Sequence, residues 1–221
     1  MFKQSIKRDS ERKKASYFIF GLIFLVLIVL SIFPDSLAPF SPSESNYDQL
    51  LKEPSKLNLF GTDELGRDIL SRIIYGTRVS LSVAVFTSII SLVFGTIYGL
   101  FSGIKGGIID EILMKIVDIF YSIPDLLLIS IFILLFGRGT TGIILALSLL
   151  SWIPSSILAE STLSFLGLGI SPPEVSWGLM ANNGWQGIRS FPHLIVFPCL
   201  AIFISTITFI KIGEFMKEKA E

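Results

Sequence analysis

The chain has 221 residues, of which 51% are hydrophobic and only 16% charged, with a mean hydropathy of +0.71. Soluble domains carry about 25% charged residues, so this composition belongs to a membrane rather than to water. The 18 basic residues balance the 18 acidic ones, which excludes a nucleic-acid binder, and a single Cys with a single His excludes an intramolecular disulfide and a Cys/His metal site.

The N-terminus holds Lys3, Lys7, Arg8, Arg12, Lys13 and Lys14 against Asp9 and Glu11. Residues 1–16 therefore read as a basic tail on the cytoplasmic side by the positive-inside rule. A first span follows over 17–33, within the charge-free run Ala15–Pro34. A cleaved signal peptide is the alternative, but the run is long for one and Ser36-Leu37-Ala38 lacks an A-x-A site.

Residues 34–78 then form an extracytoplasmic loop, rich in Pro and Ser up to Ser55. An amphipathic helix is expected in its second half. Thr62 is the N-cap, Asp63 and Glu64 fill the first turn, and Leu65, Ile69, Leu70, Ile73 and Ile74 share one face. Such a helix either caps the bundle or carries a ligand site.

Residues 79–213 read as the main transmembrane region, ending in a tail over 214–221. Val79–Ile104 is its clearest span, with Gly95 and Gly99 in a small-xxx-small spacing that suits either a helix contact or a lipid-facing surface. Ile108–Phe120 predicts an interfacial helix, with Ile109, Ile112, Leu113, Ile116, Val117 and Phe120 on one stripe and Glu111 and Lys115 paired at i,i+4. Tyr121–Gly137 is a third span in which Pro124 sits near the start, where a missing N–H does little harm. Gly142–Ile170 is awkward: its 29 residues make about 43 Å of helix, more than one crossing and less than two, and Pro154 would kink it. Ser190–Ile210 is the last apolar stretch. An all-α, polytopic transmembrane helical bundle of five or six spans follows.

Glu160 is the lone acid in its apolar segment, so it faces a cavity or partner unless it lies near an interface. Glu160 and Ser164 are i,i+4 and, with Ser161, are the residues expected to face a translocation path. No G-x-x-x-x-G-K-[ST], G-x-S-x-G or H-E-x-x-H motif occurs, and Glu160 has no ionisable partner in its segment, which argues against an enzyme.

Four stretches carry a resemblance. Phe60–Leu81 (FGTDELGRDILSRIIYGTRVSL), Gly106–Leu128 (GGIIDEILMKIVDIFYSIPDLLL) and Ile157–Gly178 (ILAESTLSFLGLGISPPEVSWG) are similar to motifs of the dipeptide/oligopeptide "C"-type permease subunits of ABC importers. Phe197–Gly213 resembles the family's last span. The motif positions are Gly61, Thr62, Asp63, Gly66, Arg67, Asp68, Asp110, Asp118 and Pro124. The resemblance implies a plasma-membrane subunit with the fold of type I ABC importer permeases, importing short peptides. Its partners would be a second permease, two cytoplasmic ATPases that hold ATP and Mg, an extracytoplasmic binding protein and membrane lipid. No cofactor, metal or nucleic acid is implied for this chain. Relatives that import nickel chelates and other small solutes leave the substrate open.

The family's cytoplasmic E-A-A-x-x-x-G loop, which docks into the ATPase, is missing. What resembles the fourth span runs at Trp152-Ile153 directly into what resembles the middle of the fifth. A shortened permease and a non-transporting remnant or accessory subunit are both compatible with that junction.

Overall fold

The computed structural model describes residues 2–137, 139–148 and 153–220. Among them the chain is helical without strands, apart from one isolated bridge between Thr62 and Asp68. The helices are α1 (Phe2–Ile32), α2 (Pro34–Leu37), α3 (Ile69–Lys105), α4 (Gly107–Tyr121), α5 (Asp125–Phe136), α6 (Thr140–Ser148), α7 (Ile153–Phe165), α8 (Trp177–Trp185) and α9 (His193–Ala220).

Among the described residues, three stretches are long and apolar enough to cross a membrane: Ala15–Ile32 in α1, Ile69–Lys105 in α3, and His193–Lys219 in α9. The apolar helices α5, α6 and α7 are shorter. The 12 residues of α5 rise about 18 Å against a hydrocarbon core of about 30 Å. The awkward 142–170 stretch is not one helix. Its described helical residues lie in α6 and α7, and α7 ends at Phe165, before Ile170. The proposed junction at Trp152-Ile153 borders on 149–152, which lie outside the described residues.

Two expectations for the polar segment are corrected. The helix does not begin at Thr62: residues 60–68 form a folded turn, and Asp68 is the N-cap, its Oδ2 accepting from the Ser71 N–H at 2.8 Å. Nor is there a separate amphipathic helix, because α3 runs without a break from Ile69 through the span to Lys105. The reason is competition for backbone donors. The Asp63 carboxylate takes the N–H groups of Leu65 and Arg67, and Gly66 adopts φ +71 with a Cβ position only 1.8 Å from the Asn46 carbonyl oxygen. Both features hold a turn where helical periodicity suggested a first helical turn.

Elsewhere the boundaries moved less. Pro124 is the N-cap of α5, its carbonyl accepting from Leu127 and Leu128 at 2.9 and 3.1 Å. Helix α9 continues past Lys211 into the segment read as a tail. Helix α8 had not been foreseen.

Two apolar clusters organise the bundle around α3. One joins Ile69, Ile73, Leu81 and Ala84 of α3 to Leu27, Ile157, Trp177, Met180 and Leu194. The other joins Val83 to Ile129 and Ile133 of α5, Ile143, Ala146 and Leu147 of α6, and Leu163 of α7.

Candidate functional site

Helix α7 carries Glu160, Ser161 and Ser164 to one buried place against α3 and the start of α8. The Glu160 side chain is 0% exposed. Ser164 donates to its Oε1 at 2.8 Å, Ser80 of α3 to its Oε2 at 3.3 Å, and Ser161 to Oε2 at 3.5 Å, with the buried Ser176 at the start of α8 nearby. The same hydroxyls reach further. Ser164 Oγ accepts from the Ile170 N–H at 3.1 Å, Ser80 Oγ from the Trp177 N–H at 3.4 Å, and Ser176 Oγ caps α8 by accepting from Leu179 at 3.3 Å. The Trp177 indole N–H closes the arrangement by donating to the Ile73 carbonyl at 3.1 Å.

A carboxyl buried away from water requires partners, and here hydroxyls supply them; none of the ion pairs among the described residues includes Glu160. The cluster thus ties α3, α7 and α8 together through one side chain. Close approach of α7 and α8 is built into the backbone: a Cβ on Gly178 would lie 2.5 Å from the Ser161 carbonyl oxygen. Glu160, Ser161 and Ser164 therefore do come together, and in this conformation they are sealed inside the chain.

Ser80 and Ser176 are the members that sequence reasoning missed. Their signals were present: Thr77, Ser80 and Thr87 are small hydroxyl residues on the buried side of an otherwise apolar helix, and Ser176 precedes a helix with an N-capping side chain.

A second polar centre is the turn before α3. Asp68 Oδ1 accepts from Asn58 Nδ2 at 2.9 Å, and Oδ2 from the Ser71 hydroxyl at 2.7 Å. Thr62 is fully buried; its Oγ1 accepts from the Lys52 N–H at 2.9 Å and donates to the Gln49 carbonyl, so it stitches the turn to the 49–52 segment. Asp63 Oδ2 lies 2.7 Å from Arg67 Nε and 3.4 Å from Arg72 Nε, while an Arg72 terminal nitrogen donates to the Pro42 carbonyl at 2.9 Å. Gly61, at φ +81, passes so close to the His193 ring that a Cβ there would lie 2.9 Å from it. A cavity of about 350 Å³ opens beside these groups, lined by Asp63, Arg67, Arg72, Pro172, Asn183 and Leu194. Of its charges, Asp63, Arg67 and Arg72 are paired with one another, while Glu64 also lines the cavity.

The remaining motif acids lie on α4. Asp110 accepts from Ser102 of α3, which fastens the start of α4 to the end of α3, and Asp118 is exposed. Glu111 and Lys115 form the expected i,i+4 pair at 2.7 Å. No group of three or more His, Cys, Asp or Glu side chains comes together as a metal site among the described residues.

No family model matches the chain. Individual proteins do. It is 29% identical over 272 residues to the oligopeptide transport system permease protein OppC of Bacillus subtilis strain 168, covering 99% of this chain and 88% of that one. It is 32% identical over 266 residues to the dipeptide transport system permease protein DppC of the same organism, covering 96% and 82%. It is 31% identical over 252 residues to the glutathione transport system permease protein GsiD of Escherichia coli O157:H7, covering 90% and 83%. The first aligned span, at 272 residues, exceeds this chain's 221 by 51, so at least that many aligned positions have no residue here.

Proposed function

This chain belongs to the family of oligopeptide, dipeptide and glutathione permease subunits of ABC transport systems, and on that premise we propose that it forms part of a path for short peptides across the plasma membrane. It is a membrane-embedded, all-α permease with no catalytic role of its own. The observation that carries the reading is the likeness to DppC over 96% of the chain. ATP hydrolysis, with its Mg, belongs to two partner ATPases; a second permease and an extracytoplasmic binding protein complete the assembly. The N-terminal basic cluster supports a cytoplasmic N-terminus.

Glu160, Ser161 and Ser164 are proposed as path residues. Because they are sealed beneath α8, a peptide would meet them only when α7 parts from α3, which is the kind of rearrangement alternating access requires. Alanine at Glu160 should then abolish uptake in an assembly whose subunits still co-purify; unchanged uptake would remove these residues from the path.

A second reading is favoured by the aligned positions that have no residue here. If they include the loop that docks into the ATPases, this chain lacks the contact through which nucleotide could bias one conformation over another, and a partner without differential contacts shifts no equilibrium. Expression in a strain lacking its own C-type dipeptide permease separates the two. The transport reading expects restored dipeptide uptake and recovery of both ATPases with the tagged chain. Recovery of the second permease alone, without uptake, would identify a non-transporting subunit.

A further inference from the structure

Helix α1 around Tyr17 and the C-terminal part of α9 enclose a groove of about 500 Å³ lined by Tyr17, Phe18, Gly21, Leu22, Leu25 and Phe215. Its two ends differ. At one, the Tyr17 hydroxyl donates to Glu218 Oε2 at 2.8 Å, the Tyr17 and Phe215 rings stand 4.9 Å apart, and Lys219 Nζ sits 4.9 Å above the Phe215 ring. Towards the other, the wall is wholly apolar, and its floor is Gly21, where an added Cβ would meet nothing within 4 Å. From Tyr17 to Leu25 the groove follows α1 for about 12 Å. An aromatic and polar mouth above an apolar trough is the profile of a phospholipid entering the bilayer from its interface.

Charge selects among phospholipids. Helix α1 is continuous from Phe2, so its basic turns stack directly beyond the mouth. Position 14 is i−3 from Tyr17, i−4 from Phe18 and i−7 from Gly21, which puts Lys14 in register with the groove's stripe. Over residues 3–14 six basic residues face two acidic ones. The acids near the mouth on α9 are already engaged: Glu214 pairs with Lys211 at 2.7 Å and Glu218 accepts from Tyr17.

We propose that this groove binds an anionic phospholipid, one acyl chain lying along Gly21, Leu22 and Leu25 with the phosphate at the Tyr17 end beside the basic turns of α1. Juxtamembrane basic residues draw anionic headgroups, and each one within reach multiplies the preference several-fold.

The test uses the purified full chain, with phosphatidylglycerol and phosphatidylcholine of identical acyl chains as probes and retention read by native mass spectrometry. Phosphatidylglycerol should be retained about tenfold over phosphatidylcholine. Gly21→Leu should cut that retention at least about fivefold by filling the floor. Gly95→Leu, the same change at an uncovered glycine outside the groove, should leave it intact. The double change Lys13→Gln, Lys14→Gln should lower phosphatidylglycerol retention without altering phosphatidylcholine. Glycerol phosphate should not displace the lipid. Equal retention of the two lipids, equal behaviour of Gly21→Leu and Gly95→Leu, or displacement by glycerol phosphate would overturn the proposal. The lipid comparison on the unsubstituted chain suffices should a variant fail to fold.

Discussion

The two halves of α3 have nearly the same apolar composition and opposite surroundings. From Ile69 to Thr87 the helix is the centre of the bundle: Val83, Ala84 and Thr87 are fully buried, and α6, α7, α8 and α9 lie around it. From Leu92 to Ile104 it is bare apart from the buried Ser102, with Phe94 66% and Ile104 80% exposed. Its attachments there are the Tyr98 hydroxyl to the Leu113 carbonyl at 2.8 Å and Ser102 to Asp110, both to α4. The change falls at Ser91, which donates to the Ser148 carbonyl at the end of α6. Chain composition thus decides that a helix enters a membrane, whereas neighbours decide which part of it becomes core. Helices α6 and α7 meet α3 only as far as its middle.

The contrast yields expectations that can be measured as unfolding free energy in detergent. Trp177→Ala removes the largest fully buried side chain against the first half of α3, together with its bond to the Ile73 carbonyl, and should cost about 3–5 kcal/mol. Phe94→Ala on the bare half should stay within about 0.5 kcal/mol. Equal losses would mean that the bare half is covered in the folded protein.

Asp68→Ala should cost about 2–3 kcal/mol, because it strips the cap from α3 and leaves the buried Asn58 amide without its acceptor. Gly178→Ala should cost about 1–3 kcal/mol through collision with the Ser161 backbone. Gly95→Ala, with open space at the Cβ, should instead stabilise α3 by about 0.5–1 kcal/mol. A destabilising Gly95→Ala would locate a helix contact at the small-xxx-small pair.

The smallest effect is one of pH. The Asp35 carboxylate accepts from the Tyr75 hydroxyl at 2.8 Å and from Arg78 at 3.2 Å, and Tyr75 first, then Arg78, hold it below its ordinary value of 3.8 against an opposing desolvation. A lowered folded-state value contributes stability that is complete above the unfolded value and is lost as pH falls through the folded one. Acid titration below 3.8 should therefore show a shallow loss that Asp35→Asn removes.

Much of this protein was legible beforehand because membrane insertion is written in composition. The apolar runs of α1, α3 and α9, the helix α4 with its Glu111–Lys115 pair, and the break at Pro124 need only hydropathy and backbone chemistry. The turn before α3 was misread for an equally local reason. Thr62 and Asp63 have capping side chains, but Asp63 spends its carboxylate on the 65–67 backbone, and the cap passes to Asp68.

For the site, the sequence singled out Glu160, Ser161 and Ser164 because polar groups inside an apolar run demand an explanation. What they bind is a different kind of fact. Ser80 lies 80 residues away and Ser176 precedes an unforeseen helix, so no periodicity joins them to Glu160. A buried carboxyl is satisfied by whichever donors the fold brings within about 3 Å, and that proximity is a property of three helices meeting. Membrane residence and span positions therefore came from the order of residues along the chain. The sealed serine cluster, the half-covered α3 and the groove between α1 and α9 arose only when distant segments touched.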